Sequence, residues 1–279
     1  MERRIQIHEW LYLGLGISVS GALALRTGIS AASLSVGILT GGYAWLLTRT
    51  RCGSVTRLVA AYGTTWALYA GSATLVEWMR VPLRHQALLD WDRTLFGETP
   101  AVTLSDGLSQ TCHELLALGY MSYHVYLHWA LIEALCSRSD GMRADLGSRL
   151  FTAFGIGFIG YIAFPAAPPA TAFPELFAQP LQGGLFMRLN ESINAAMASR
   201  YDAFPSLHAL IGVTLLAWDW SRCRRRFWLM LMPSVLMLAA TLGLRFHYAV
   251  DLLVSAALFI MLTLANARLT SPSRRSMGA

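Results

Sequence analysis

The stretches Asp202-Ala-Phe-Pro-Ser-Leu-His208 and Arg245-Phe-His247-Tyr-Ala-Val-Asp251 decide how this chain is interpreted. Each stands just before, or at the start of, a long apolar run that predicts a membrane-spanning helix. Ionisable residues at the membrane are costly, so the histidines, carboxylate and arginine found there are candidates for function. These residue types suit chemistry on a phosphorus group at a membrane surface.

The composition is that of an integral membrane protein. Hydrophobic residues make up 55% of the 279 positions and charged residues only 14%, whereas soluble domains carry about 25% charged residues. The mean hydropathy is +0.46. The net charge is +6, and all 22 basic residues are arginines, most of which we expect to set the membrane topology. The four cysteines lack metal-ligand spacing, and we expect no structural disulfide.

Eight apolar runs approach the length that a membrane-spanning helix needs, which is about 20 residues. They cover residues 8–25, 31–48, 58–78, 114–135, 150–165, 204–220, 227–243 and 249–267. The sequence therefore predicts an all-α polytopic membrane bundle of about eight transmembrane helices.

The arginines between these spans predict the orientation of the chain. With an even number of spans both termini lie on one side, where fifteen arginines fall, against seven on the other. The positive-inside rule then places both termini in the cytoplasm, and a bacterial inner membrane is the simplest assignment. The outer face carries both histidine stretches and two long loops, 79–113 and 166–203. The first loop suits an amphipathic segment at the interface, and prolines after Phe164 end the fifth span.

His247 and Asp251 are spaced so that both side chains lie on one helix face. The carboxylate can accept a proton from one ring nitrogen and leave the other nitrogen's lone pair free to attack. The alternative is a His–Asp pair that only satisfies itself between helices.

His208 follows Pro205 and Ser206, and proline is favoured at the first position of a helix. The free N–H groups and the positive dipole end of that helix form an anion site. Ser206 can donate to a phosphate oxygen, and His208 can hold a proton for a departing oxygen. The alternative is a capped helix with an incidental histidine.

A second group of polar residues lies in the fourth span, where His124 and His128 are four residues apart. Two imidazoles supply only half of a structural metal site, and no carboxylate or cysteine neighbour completes it. We therefore expect no metal here and interpret Tyr123 and His124 as the lining of a lipid head-group pocket.

Together the two stretches resemble a known family. Phe204-Pro-Ser-Leu-His208 and His247-Tyr-Ala-Val-Asp251 are similar to the second and third signature motifs of the type 2 phosphatidic acid phosphatase superfamily. The resemblance implies a six-helix catalytic core, a covalent phosphohistidine and no metal or other cofactor. It assigns the nucleophile to His247, its orienting carboxylate to Asp251, and the general acid and base to His208, with Ser206 in the phosphate cradle.

Two further stretches resemble the branch of this superfamily that contains fungal inositol phosphorylceramide synthase and many bacterial relatives. Phe164-Pro-Ala-Ala-Pro-Pro169 resembles the proline motif of that branch, and Asp92-Arg-Thr-Leu-Phe-Gly97 resembles its first outer loop. The resemblance covers about residues 90–255. We therefore expect two additional N-terminal helices in residues 1–57, a catalytic membrane domain in residues 58–268 and a cytoplasmic tail in residues 269–279.

The sequence departs from the phosphatase branch at three cations. The first motif of that branch has a lysine and an arginine, where this chain reads Pro168-Pro169-Ala170, and the arginine six residues before the nucleophile is Thr241 here. A phosphodiester with one negative charge needs less compensation than a dianionic phosphomonoester, so the departures favour head-group transfer over hydrolysis. Arg245 and Arg200 are candidates for stabilising charge on the transferred group.

We therefore predict an enzyme that transfers a phospho-head group from a phospholipid to a lipid or other alcohol through a phosphohistidine. The alternative is a lipid phosphate phosphatase, of the phosphatidic acid or polyprenyl phosphate type, with water as acceptor. A third interpretation is a non-catalytic lipid or anion transporter, although no repeated pair of Gly- or Pro-interrupted spans indicates one. The expected partners are membrane lipids and not nucleic acids.

Overall fold

The computed structural model describes residues 4–197 and 199–270, without the side chains of residues 197 and 267–270. Within this part of the chain the ordered elements are helices and one short 3-10 turn, Pro174–Leu176. In chain order the helices are α1 (Ile7–Thr27), α2 (Ala31–Arg49), α3 (Val55–Met79), α4 (His85–Phe96), α5 (Pro100–Ser105), α6 (Gln110–Cys136), α7 (Asp140–Ala163), α8 (Pro169–Ala172), α9 (Leu185–Met197), α10 (Leu207–Arg222), α11 (Arg224–Gly243) and α12 (Ala249–Thr270). The predicted tail lies, from residue 271 onward, outside the described residues.

The eight long helices of the described chain coincide with the eight predicted spans. Four of them, α2, α7, α11 and α12, are long and apolar enough by composition to cross a membrane. Large apolar side chains such as Ile17, Val125 and Ile260 are mostly exposed on the outside of the bundle, as lipid-facing residues are in membrane helices. The all-α membrane bundle is confirmed.

α7 begins earlier than its predicted span, at Asp140 instead of residue 150. Its first turns carry charged residues, which a hydropathy pattern leaves out of a membrane span. These charges are paired, so the helix extends beyond its apolar part. The pairs are Arg143 with Asp140, and Asp145 with both Arg149 and Arg222.

The two N-terminal helices are bound to α3 by buried polar contacts. The Arg57 guanidinium contacts the Glu9 carboxylate at 3.0 Å, and both side chains are buried. The same guanidinium donates to the Leu47 carbonyl of α2 at 2.7 Å. Further along the bundle, the Tyr12 hydroxyl lies 2.6 Å from the Thr65 hydroxyl. α1 and α2 are therefore packed parts of the bundle.

The proline-rich segment 164–169 is hydrogen-bonded to several of the elements that surround the histidines. It follows directly after the last residue of α7, Ala163, as the prolines predict. Its backbone carbonyls accept hydrogen bonds from three distant parts of the chain. The donors are Arg84 N–H to Pro165 at 2.8 Å, Ala203 N–H to Ala166 at 3.0 Å and the Tyr248 hydroxyl to Ala167 at 3.2 Å.

Two glycines of α7 lie close against the residues at the start of α10. A Cβ atom at Gly160 would lie 2.3 Å from Pro205, and one at Gly157 would lie 2.3 Å from Leu207. At Gly160 a larger residue would also crowd the Phe204 carbonyl oxygen, 3.1 Å from the Cβ position, so glycine is needed there, whereas at Gly157 the crowded atoms belong to the flexible Leu207 side chain. The close approach places the end of α7 beside His208.

Candidate active site

The two histidine stretches meet at one end of the bundle, where α10 and α12 both begin. His208 lies in the first turn of α10, and His247 lies in the turn between α11 and α12. Their ring centroids are 6.0 Å apart. Both side chains line a cavity of about 340 Å³, which is within the usual size range of small-molecule sites.

A backbone carbonyl orients the His247 ring. Nδ1 lies 2.8 Å from the carbonyl oxygen of Ala203 and 3.4 Å from Oδ2 of Asp251. A carbonyl oxygen only accepts hydrogen bonds, so Nδ1 carries a proton. In the neutral ring Nε2 then has the free lone pair, and it has no hydrogen-bond partner among the described residues. This tautomer presents Nε2 as a nucleophile.

Asp251 lies behind His247 and is fully buried. Its Oδ2 also accepts from the backbone N–H of Tyr248 at 2.8 Å. One turn along α12, the Ser255 hydroxyl lies within 3.0 Å of the Ser206 carbonyl and 2.7 Å of the Asp251 carbonyl, which links the starts of α10 and α12. The orienting role of Asp251 stays a prediction, and in this structure the Ala203 carbonyl is the nearer acceptor.

His208 is enclosed by aromatic side chains of α6. The rings of Tyr120 and Tyr123 lie 4.4 and 4.6 Å from it, and the His124 ring lies 6.3 Å away. The Tyr120 hydroxyl is 3.4 Å from His208 Nδ1. Tyr123 and His124, predicted to line a head-group pocket, both line the cavity beside His208.

The cavity extends from the two histidines into an aromatic interior formed by three helices. α3 contributes one helical face, at positions spaced by three and four residues. The lining residues are Tyr62, Thr65, Trp66 and Tyr69 from α3, Tyr120, Tyr123, His124 and Leu127 from α6, and Phe154, Phe158 and Tyr161 from α7. This combination of a polar end and a deep apolar wall suits a lipid that carries a polar head.

Ser206 and Arg245 lie outside the lining of this cavity. The Ser206 hydroxyl accepts from Ala209 N–H at 3.4 Å and caps α10. Arg245 has a φ of 65°, and its side chain is directed to the Ser105 hydroxyl at 3.1 Å and to the Phe177 ring at 4.4 Å. Their predicted contacts with substrate phosphate stay predictions.

Arg200 lines the mouth of the cavity, where its side chain is 72% exposed and paired with Glu77 at 3.0 Å. His128 does not line the cavity. Its Nδ1 contacts the His124 carbonyl and must therefore be protonated, so its Nε2 accepts from the Tyr62 hydroxyl at 2.7 Å. Both nitrogens of His128 thus have hydrogen-bond partners within the bundle.

A family model described as the PAP2 superfamily matches residues 86–265, well over half of the chain. The chain belongs to the PAP2 superfamily. Members of this superfamily are phosphatases or phosphotransferases that act on phosphoesters, so the protein is a membrane enzyme of that class. No curated protein and no solved structure matches the chain significantly.

The PAP2 match includes both histidine stretches and begins at α4, which packs against the turn that contains His247. Asp92 of α4 is fully buried and accepts from the N–H groups of Ala249 and Val250 at 3.1 and 2.9 Å. These are orphan donors at the start of α12. Burial raises the pKa of Asp92, and the two N–H groups oppose that rise. Asp92 is therefore a buried cap for the helix that follows His247.

Two cavity residues of this PAP2 enzyme were missed by the sequence analysis. Asp202 opens the quoted stretch but received no role, and Tyr69 lies in α3, before the matched region. The Tyr69 hydroxyl donates to the Asp202 carboxylate at 2.7 Å. The spacing of Tyr62, Trp66 and Tyr69 on one helix face was a usable signal for the α3 wall.

Proposed function

We propose that this PAP2 superfamily enzyme transfers the phospho-head group of a phospholipid to a lipid or other alcohol, like an inositol phosphorylceramide synthase. The observation that carries the proposal is the orientation of His247. The Ala203 carbonyl holds Nδ1 at 2.8 Å, which leaves Nε2 as the nucleophile in a cavity that His208 shares.

The proposed reaction has two steps. First, Nε2 of His247 attacks the phosphorus, the P–O bond to diacylglycerol breaks, and His208 gives a proton to the departing oxygen. Second, the acceptor oxygen attacks the phosphorus, the P–N bond breaks, and the acceptor's proton passes to His208. The N-terminus of α10, capped by Ser206, favours negative charge on the phosphoryl oxygens.

The charges around the cavity support a donor with one negative charge. Among the described residues that line it, Arg200 is the single arginine, and Arg200 is exposed and paired with Glu77. Asp202 adds a carboxylate to the same wall. A dianionic phosphomonoester needs more compensating charge than a phosphodiester, which favours head-group transfer over hydrolysis of phosphatidic acid.

The cavity end of the bundle is proposed to face the extracytoplasmic side, with both termini in the cytoplasm of a bacterium and the protein in its inner membrane. The support is the distribution of arginines. Several arginines lie at the opposite end of the bundle from the cavity. They are Arg143 near the start of α7, Arg222 at the C-terminus of α10 and Arg224–Arg226 at the start of α11.

The test uses purified protein in vesicles that contain head-group-labelled phosphatidylinositol, phosphatidylglycerol or phosphatidic acid, with diacylglycerol and ceramide as acceptors. We expect a new labelled phospholipid from the wild type and none from His247→Ala. Release of free phosphate from phosphatidic acid alone would make the enzyme a phosphatase with water as acceptor.

His85→Ala is the matched control, because His85 lies in α4 and does not line the cavity. The control should keep the wild-type products. If the wild type and His247→Ala behave alike on every substrate, catalysis at His247 is ruled out and binding without turnover, as in a transporter, becomes the better interpretation.

A further inference from the structure

Asp202 is a carboxylate in the cavity that the proposed reaction does not use. Its side chain is partly buried and lines the cavity together with His208 and His247. No arginine or histidine of the described chain forms an ion pair with it. The Tyr69 hydroxyl is the side chain that hydrogen-bonds it, at 2.7 Å.

A chain of hydrogen bonds sets the direction of the Tyr69 proton. The backbone N–H of Ser199 donates to the Tyr69 oxygen at 3.3 Å. Because that N–H only donates, and the carboxylate of Asp202 accepts, the Tyr69 proton is directed to Asp202. Asp202 is thus held as an acceptor with capacity for further hydrogen bonds, since a carboxylate accepts about four.

The backbone next to Asp202 contacts His247, the proposed nucleophile. The next residue, Ala203, holds His247 with its carbonyl and pairs with Ala166 through its N–H at 3.0 Å. Asp202 itself forms the isolated bridge with Ala166. The carboxylate therefore has a defined position relative to the reacting nitrogen.

A phosphate is the wrong ligand for this carboxylate, because two negative charges repel in a poorly hydrated cavity. A neutral hydroxyl is the complementary ligand, since it donates a hydrogen bond to the charged acceptor and brings no charge. Burial raises the pKa of Asp202, and the Tyr69 hydrogen bond opposes that rise. A hydroxyl donor from substrate would add to the effect of Tyr69.

We propose that Asp202, positioned by Tyr69, binds a hydroxyl group of the substrate lipid and thereby selects hydroxyl-bearing substrates. The inference rests on the proposed head-group transfer and names its specificity residue. The hydroxyl has two sources: the acceptor alcohol, whose oxygen Asp202 would orient toward phosphorus on His247, or a polyol head group of the donor.

The test separates the two half-reactions. Wild-type enzyme and Asp202→Asn are mixed with head-group-labelled phosphatidylinositol or with labelled phosphatidic acid, which has no head-group hydroxyl, and the label bound to His247 is measured over time. Diacylglycerol, ceramide or water is then supplied, and the discharge of label is followed. Asp90→Asn is the matched control, since Asp90 is an exposed carboxylate of α4 outside the cavity.

If Asp202 binds the acceptor, Asp202→Asn labels normally, and discharge to the lipid alcohol slows about tenfold or more, as for the loss of a hydrogen bond to a charged group. If it binds the head group, labelling from phosphatidylinositol slows by that factor and labelling from phosphatidic acid does not. Tyr69→Phe should give a smaller change in the same step. Equal losses on every substrate, or behaviour like Asp90→Asn, would overturn the proposal.

A binding measurement tests the role of Asp202 without requiring catalytic turnover. The His247→Ala variant, with and without Asp202→Asn, is titrated with phosphatidylinositol, phosphatidic acid and diacylglycerol in detergent micelles. We expect Asp202→Asn to weaken the binding of a hydroxyl-bearing lipid and to leave the binding of phosphatidic acid unchanged or stronger. A wild type that never labels at His247 would contradict the proposed function, whereas unchanged binding by Asp202→Asn would contradict this inference alone.

Discussion

At the residue scale, the nearest hydrogen-bond acceptor for the proposed nucleophile, His247, is the backbone carbonyl of Ala203. Ala203 holds His247 Nδ1 at 2.8 Å, while the Asp251 carboxylate lies at 3.4 Å. The carbonyl fixes the tautomer. In the proposed reaction, the buried carboxylate stabilises the positive charge that the ring gains when Nε2 bonds to phosphorus. The two acceptors thus serve one ring in different ways.

His208→Gln tests the proton transfer directly. Glutamine is close in size to histidine and hydrogen-bonds, but it does not deliver a proton to the departing diacylglycerol oxygen. We expect phosphoenzyme formation from a phospholipid to slow by about 10²- to 10⁴-fold. A nitrophenyl phosphodiester should be affected much less, because nitrophenolate leaves without protonation.

The measurement is the rate of labelling with each donor. His85→Ala serves as control, and equal slowing of His208→Gln with both donors would contradict a role for His208 in protonating the leaving group.

The roles of individual residues were only partly predictable from the sequence. His208 and His247 stand in local patterns that point to a shared site, and they do share a cavity. The Tyr69–Asp202 contact joins residues 133 positions apart, so no local pattern reports it. The direction of the Arg245 side chain follows from a left-handed backbone at φ 65°, which the residue type gives no reason to expect.

At the element scale, the short helix α4 completes the start of α12. Asp92 satisfies two backbone N–H groups of α12 from the outside, at 3.1 and 2.9 Å. A helix start without such a partner would leave donors unpaired in a buried place. α4 therefore fixes the start of α12, the helix that carries Asp251.

Asp92→Ala should lower the stability of the protein by about 1–2 kcal/mol, the usual effect of removing a helix cap, and should lower activity as the turn at His247 loosens. Thermal unfolding in detergent measures the first effect, and labelling at His247 the second. Asp90→Ala, two residues away on the exposed side of α4, is the control and should change neither. Equal melting temperatures for the two variants would show that Asp92 does not stabilise α12.

The helices themselves were predictable because long apolar runs allow few other structures at a membrane. Among the eight long helices, the largest difference was the start of α7, where paired charges such as Arg143 and Asp140 extend the helix beyond its apolar part. Hydropathy treats such residues as loop. Contacts between helices, such as Gly160 against Pro205, depend on which spans are neighbours in the bundle. The pattern of apolar residues does not contain this information, so these contacts could not be predicted.

At the scale of the whole molecule, the two ends of the bundle differ in whether their buried charged side chains form ion pairs. At the end away from the cavity, Arg226 is buried and paired with Asp219 and Glu133, and Arg57 with Glu9. At the cavity end the carboxylate of Asp202 faces the cavity without an ion-pair partner among the described residues. The paired end suits a structural anchor, and the unpaired carboxylate suits a ligand site.

The proposed orientation in the membrane can be tested with two exposed cysteines of α6. Cys112 lies near its start, at the cavity end, and Cys136 is its last residue. With all other cysteines changed to serine, a membrane-impermeant maleimide added to intact cells should label the Cys112 variant and leave the Cys136 variant unlabelled. Both should react after the membrane is permeabilised. The reverse pattern in intact cells would place the cavity on the cytoplasmic side.

Trapping the covalent intermediate tests directly whether His247 is the nucleophile. Purified enzyme is mixed with head-group-labelled phosphatidylglycerol, quenched within milliseconds to seconds in base, and digested for mass spectrometry. We expect a phospho-head-group adduct on the peptide that contains His247. The adduct should be stable in base and labile in acid, lost in His247→Ala and kept in His85→Ala. If the wild type turns the lipid over without any adduct at His247, or with the adduct on another residue, then His247 is not the nucleophile.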